Sequence, residues 1–151
     1  MTLAEALNVR SDLNRRLMEL RERIISNAKY QEGDSPSEDP NELLEQFESV
    51  AVEYMNMVTR INKTNNAIKL GDGKDMVDAL AERDMLKLSH RTYRSLASEA
   101  TPVQDRYSKK EIKFVSAVKV SEIQSMADNV AKQLRELDTL IQQANWNNDL
   151  I

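Results

Sequence analysis

Apolar residues recur every three or four positions along four stretches of the chain, which is the spacing of one face of an α-helix. The first stretch, residues 3–28, opens with Thr2 and Glu5, the two residues of a capping box. The second begins at Asp39 and Pro40, an N-cap residue followed by a proline at the first helical position, and ends before a Gly-Asp-Gly turn. These signals predict two long helices joined by an exposed polar loop.

Two more helices are predicted in the second half of the chain. Asp75 is placed to cap a third helix that ends near Pro102, and its apolar stripe is Val77, Leu80, Ala81, Leu88 and Leu96. Ser121 and Gln124 form a capping box for a fourth helix, whose apolar residues follow the alternating steps of a coiled coil. The pattern predicts a mainly α protein, an elongated antiparallel four-helix bundle that forms a single helical domain over residues 1–151.

The segment between helices three and four has a different period. Apolar residues at even positions alternate with charged residues at odd positions: Ile112, Phe114, Val118 and Val120 against Glu111, Lys113 and Lys119. Period two is typical of a β-strand, and a strand needs a partner for its backbone groups. Residues 67–70 are the other β-like piece, so we expect the two segments to pair into a minor β-ribbon.

Composition excludes several kinds of chemistry. The chain has no cysteine and one histidine, which removes disulfides, thiolate nucleophiles, cysteine metal sites and a two-histidine metal site within one protomer. No apolar run is long enough to span a membrane, and the first residues lack the pattern of a signal peptide. We therefore expect a cytoplasmic protein with no membrane span, no catalytic residues, no metal and no cofactor.

Charge is distributed unevenly along the sequence. No lysine or arginine occurs from Tyr30 to Thr59, a strongly acidic segment, whereas residues 106–119 carry five basic residues and one acid. The basic segment has the cations to bind phosphate, and Tyr107 is suited to stacking on a base. The formal net charge of −4 instead favours pairing of this segment with the acidic helix, so no nucleic-acid partner is expected.

Three polar residues lie on apolar stripes, where burial is costly without a partner. Arg10, Asn65 and Asp84 are therefore candidates for a buried polar network, which either binds a ligand or fixes helix register. The run Glu82-Arg83-Asp84 with His90 offers acid–base groups, but the two carboxylates diverge by about 200° around a helix. An enzyme is therefore not the expected class.

Helices one and two carry more apolar residues than one core stripe requires. Met18 and Ile25 lie beside the main stripe of helix one, and Leu44, Ala51 and Met55 lie beside that of helix two. Exposed apolar patches usually mark interfaces, and a two-fold dimer is the commonest solution. The candidate interaction surface comprises Met18, Ile25, Leu44, Met55, Arg106, Tyr107, Lys109, Lys110 and Lys113. In such a dimer the acidic start of helix two can meet the basic segment of its mate.

Several short runs together resemble a known family. They include residues 60–65 (RINKTN), residues 78–84 (DALAERD), residues 106–108 (RYS), and residues 136–138 (ELD) with 144–146 (ANW). In this combination the chain resembles a small bacterial family of unknown function whose members are labelled septicolysin. The resemblance implies a single-domain, mostly helical bacterial protein with no established catalytic residues, and the label implies a cytolysin.

Three functions follow from these observations. The leading hypothesis is a non-enzymatic, homo-oligomeric structural or protein-interaction protein, with another protein as a possible further partner. The second is a membrane-active protein, as the label implies. The third is a nucleic-acid-binding module that uses the basic segment.

Overall fold

Four long helices make up most of the protein. The structure is a computed structural model that describes residues 1–103 and 112–151. The helices are α1 (Leu3–Ser26), α2 (Pro40–Ala67), α3 (Met76–Ala100) and α4 (Val120–Asn147). The described residues are mostly helical and almost without strands, so the predicted mainly α fold is confirmed.

The local signals at the helix starts are largely confirmed. Thr2 N donates to Glu5 Oε2 at 2.8 Å and Glu5 N donates to Thr2 Oγ1 at 3.2 Å, which completes the capping box. Asp39 is the N-cap of α2, with Pro40 in the first turn. Helix α4 begins at Val120, so Ser121 lies in its first turn and is not the cap.

The residues group into two compact units, and the first comprises residues 1–69 with 143–151. Within it α1 and α2 form an antiparallel hairpin, because the start of α1 packs on the end of α2 and the end of α1 packs on the start of α2. One cluster holds Leu17, Leu20, Leu43 and Val50, and another holds Leu3, Ala6 and Ile61. These are the stripes that three- and four-residue spacing predicted.

The last residues of the chain seal the open end of this hairpin. Leu3 N donates to Asn148 O at 2.8 Å and Leu150 N donates to Met1 O at 2.9 Å. Ile151 N donates to Thr64 Oγ1 at 3.0 Å, and Thr64 is fully buried. The side chain of Leu150 packs on the cluster of Leu3, Ala6 and Ile61. We call residues 148–151 the tail clamp.

The second unit comprises residues 70–142, with α3 and most of α4. These two helices are antiparallel neighbours, since Arg83 Nη1 lies 3.6 Å from Asp138 Oδ1 near one end and Ala97 lines a groove with Gln124 near the other. Helix α3 buries Met76, Ala79 and Ala97. The predicted stripe of α3 is therefore wrong: Val77, Ala81, Leu88 and Leu96 are exposed and Leu80 is half-buried.

The predicted β-ribbon is not found in the part of the chain that the structure describes. Residues 112–119 contain no strand, and Ile112 and Phe114 are almost fully exposed. Ala67 is the last residue of α2, and Leu70 N donates to Lys74 O at 2.8 Å across a tight turn. Its backbone N–H is thus satisfied locally, which removes the need for a partner strand.

Candidate interaction surface

Five apolar residues of α1 and α2 share one property: each comes directly after a residue of the hairpin core. Met18 follows Leu17, Ile25 follows Ile24, and the same holds for Leu44, Ala51 and Met55 on α2. One residue is a rotation of about 100° around a helix. All five residues are therefore turned from the core by the same angle in the same sense.

This shared rotation puts them on one side of the hairpin. Antiparallel helices are related by a local two-fold axis, and positions rotated in the same sense from the contact then lie on the same side. Met18, Ile25, Leu44 and Met55 are 43% to 58% exposed, and Ala51 is half-buried. We call this set the hairpin stripe.

The other side of the hairpin is charged. An open groove of about 380 Å³ there is lined by Asp12, Arg15, Arg16, Glu19, Leu20, Arg23 and Gln46. Arg15 Nη2 donates to Asp12 Oδ1 at 2.7 Å, so some of these charges are paired. Large apolar residues next to the core thus lie on one side of the hairpin, together with the exposed Arg21 and Glu48, and the charged groove lies on the other side.

The basic part of the predicted surface is mostly outside the described residues. Arg106, Tyr107, Lys109 and Lys110 fall in the gap, and Lys113 is exposed. Lys113 lies among apolar side chains that are also exposed, namely Ile112, Phe114 and Val115.

The three residues of the predicted polar network have different surroundings. Arg10 and Asn65 are half-buried in the first unit, and the bonds described there do not join them to each other. Asp84, in the second unit, is exposed, so its predicted burial between Leu80 and Leu88 is not found. The physical reason is the rotation of α3, which turns the position before Met85 toward water.

The sequence analysis considered Arg83 only within the run Glu82-Arg83-Asp84 and missed that its side chain lies on the half-buried side of α3. Its guanidinium pairs with Asp138, and its Nε is buried without a hydrogen-bond partner among the described atoms. Glu82, one residue earlier, instead accepts from Lys74 Nζ, and this hydrogen bond raises the pKa of Lys74. A signal was present, because Arg83 lies four residues from Ala79 and three from Leu86.

A second groove, of about 410 Å³, lies between α3 and α4. Its polar lining includes His90, Arg94, Ser98, Gln124 and Asp128. The groove is open to solvent, and Thr101 at its edge uses its hydroxyl to bond Ala97 O at 2.8 Å. The single histidine therefore lies beside an arginine and an aspartate, away from the carboxylate of Glu82 that is bound to Lys74.

Among residues 1–103 and 112–151, no cluster of three or more histidine, aspartate or glutamate side chains is arranged to hold a metal ion. Over the same residues, no helix is both long enough and apolar enough to cross a membrane.

The fold defines a mainly helical protein whose first unit carries exposed apolar residues on one side of a helical hairpin. The chain belongs to a family of unknown function, DUF6847, whose model matches residues 10–150. Among curated proteins, none matches the chain.

A solved structure extends this result to the fold. The chain is similar to a functionally unknown conserved protein from Corynebacterium diphtheriae, with 42% sequence identity and a TM-score of 0.91. The match covers 100% of this chain and 99% of the other. The expected bacterial family of unknown function is thereby confirmed, whereas nothing in these comparisons supports the septicolysin label.

Proposed function

We propose that this protein is a non-enzymatic, self-associating helical protein that acts in the cytoplasm as a structural or interaction module. The hairpin stripe is the surface that carries the proposal. Its large side chains gain free energy when water is removed from them, at roughly 25 cal/mol per Å² of apolar surface. Association of two copies through this side is the simplest way to cover it.

The supporting observation is the contrast between the two sides of the hairpin. Both sides are accessible, yet the large apolar residues next to the core are collected on one of them and the charged groove lies on the other. Scattered exposed apolar residues need no explanation, but a contiguous set on one side usually marks an interface.

The test is the mass of the protein in solution. Light scattering behind a sizing column should give at least twice the chain mass of 17.3 kDa at micromolar concentration. The double variant Ile25→Lys with Met55→Lys should lower that mass, because it places two cations on a surface from which association removes water.

Val52→Lys is the matched control. Val52 is 54% exposed on α2, but it is two residues from Val50 and lies on the helix face away from the core. This variant should keep the wild-type mass. A wild-type monomer, or equal effects of the control and the double variant, overturns the proposal.

A further inference from the structure

Helix α3 has a second apolar face, opposite to the face that it buries. The residues of this face are Val77, Ala81, Met85, Leu88, Thr92 and Leu96, and all of them are exposed. The four large residues are 38% to 59% exposed. They follow steps of four, four, three, four and four, so they stay within about 100° of one another around the helix. We call this set the α3 face.

Thr92 does not interrupt the apolar character of this face. Its hydroxyl already donates to Leu88 O at 2.8 Å within the helix. A threonine bonded in this way has no donor left to satisfy, and its methyl group is available for packing. Ala81 and Thr92 are the two small residues of the face, and each lies between larger ones.

The α3 face is symmetric about its own centre. When the helix is laid antiparallel on a second copy, Val77 meets Leu96, Ala81 meets Thr92, and Met85 meets Leu88. Every one of these pairs is centred on the same point, between Leu86 and Lys87. A two-fold interface requires such self-complementarity, because residue i meets j and j meets i.

The charges beside this face fit the same register. Asp84 and Arg91 are exposed and seven residues apart, so they lie on the same edge of the helix within about 20°. Within the described residues neither forms an ion pair. In the antiparallel register, Asp84 of one copy lies within about 3 Å, along the axis, of the position of Arg91 in the other.

That arrangement distinguishes between orientations. The antiparallel pair makes the Asp84–Arg91 contact twice, once on each side of the two-fold axis. In a parallel pair the two-fold axis runs along the helices, so the edge with Asp84 and Arg91 of one copy lies on the opposite side of the interface from the same edge of the other, and neither contact forms. Charge therefore favours the antiparallel orientation, as the apolar pattern does.

We propose that α3 is a self-recognition helix: two copies of the chain pair antiparallel through the α3 face, with Ala81 of one copy against Thr92 of the other. This interface is separate from the hairpin stripe, shares no residue with it, and goes beyond the function proposed above. One helix face about 29 Å long is smaller than a standard interface, so the pairing is weak and visible at roughly 100 μM.

Disulfide trapping tests the register, and the chain is suited to it because it has no cysteine. Chains carrying Ala81→Cys and chains carrying Thr92→Cys are mixed and oxidised. The mixture should form a covalent dimer, because these two positions face each other at small residues. Each variant alone should not, since the like positions of an antiparallel pair are eleven residues, about 16 Å, apart.

Two matched mixtures serve as controls. Ser49→Cys, exposed on α2, mixed with either α3 variant gives the collisional background. The Ala81→Cys and Thr92→Cys pair in chains that also carry Ile25→Lys and Met55→Lys should crosslink as well as in the native background. This second control separates the α3 face from the hairpin stripe.

Charge reversal tests the same contact without cysteine. Asp84→Arg should raise the dimer dissociation constant about tenfold or more, because each of two attractive contacts becomes repulsive. Arg91→Asp should do the same, and the double reversal Asp84→Arg with Arg91→Asp should restore the native value. Both positions are exposed in the monomer, so folding is preserved.

The outcomes distinguish this inference from the proposed function. Crosslinks of Ala81→Cys chains with themselves indicate a parallel pair and overturn the register. No crosslink above background, in a protein whose mass still falls on changing Ile25 and Met55, overturns the α3 pairing alone. If the Ile25→Lys with Met55→Lys variant keeps the wild-type mass while the Ala81→Cys and Thr92→Cys chains still crosslink specifically, the proposed hairpin surface alone is overturned.

Discussion

The ion pair of Arg23 with Glu38 fastens the last turn of α1 to the loop before α2. Arg23 Nε donates to Glu38 Oε2 at 3.0 Å, and a second, shorter hydrogen bond joins Nη2 to Oε1. Asn27 completes the link, since Glu38 N donates to Asn27 Oδ1 at 3.0 Å. The hydrogen bonds from Arg23 hold the pKa of the Glu38 carboxyl below its ordinary value of 4.5.

This pair gives the stability of the protein a defined dependence on pH. Because the pKa of Glu38 is lower in the folded chain, the pair stabilises the fold above the ordinary pKa, and this contribution disappears as pH falls through the folded value. The difference in free energy of unfolding between wild type and Glu38→Gln should be constant near neutral pH and shrink below about pH 4.5. Urea unfolding at a series of pH values measures it.

Arg23→Gln provides the control, since it removes the same pair from the other side. Its difference from wild type should shrink over the same pH range. If either difference grows as the solution becomes more acidic, the pair does not act as the geometry indicates.

At the scale of elements, the tail clamp depends on one buried hydroxyl. Thr64 Oγ1 donates to Arg60 O at 2.9 Å and accepts from Ile151 N at 3.0 Å. Thr64→Val keeps the shape of the side chain but leaves the backbone N–H of Ile151 without an acceptor. The variant should lose about 1–3 kcal/mol of unfolding free energy, measured by chemical denaturation.

Thr59→Val is the matched control for this change. Thr59 is exposed on the same helix, and its hydroxyl bonds only within the helix, to Met55 O at 2.9 Å. It should change stability by less than about 0.5 kcal/mol. Equal effects at Thr59 and Thr64 would show that the clamp contributes nothing.

Helices α1 and α2 were predictable because their signals are local and agree, and α4 was predictable from its apolar stripe, although the predicted cap Ser121 lies inside the helix. A capping box at Thr2 or an Asp39-Pro40 start acts over one turn, and each of these helices has one dominant apolar stripe. Helix α3 was harder because it is apolar on two opposite faces. Val77 and Leu80 are both apolar, yet they belong to different faces, and periodicity alone cannot say which face is buried.

The β-ribbon was a wrong prediction for a related reason. Alternation over residues 112–120 predicts a strand, but alternating side chains stabilise a strand only where a partner strand is available. The tail clamp, by contrast, was not predicted, since backbone hydrogen bonds between residues far apart in sequence leave no pattern in the side chains.

At the scale of the whole molecule, the sequence identified the residues of the hairpin stripe as apolar residues beyond the core of α1 and α2, and its four large side chains are exposed; their role as an interface stays a prediction. It did not locate the α3 face, because Ala81 and Leu88 were assigned to the core. Asp84 was likewise assigned to a buried network, although it is exposed at the edge of this face. Which of these residues are buried depends on how the helices pack, and the periodicity of the sequence does not determine it.

Because the two proposed surfaces are separate, changes in each should reduce the mass of the assembly independently. Wild-type protein at high concentration should exceed the mass of a dimer, because each surface joins two copies. Ile25→Lys with Met55→Lys, or Asp84→Arg alone, should limit the mass to a dimer. The three changes combined should give the 17.3 kDa monomer, as measured by sedimentation equilibrium. A dimer that survives the combination would require a third surface.

The tail clamp also determines how the molecule opens. Terminal turns of a helical protein usually fray first and independently of each other. Here Leu3 N is bonded to Asn148 O and Leu150 N to Met1 O, so neither end is released while the other stays in place. The two segments therefore open in one cooperative step, with a common rate of amide exchange at Leu3 and Leu150.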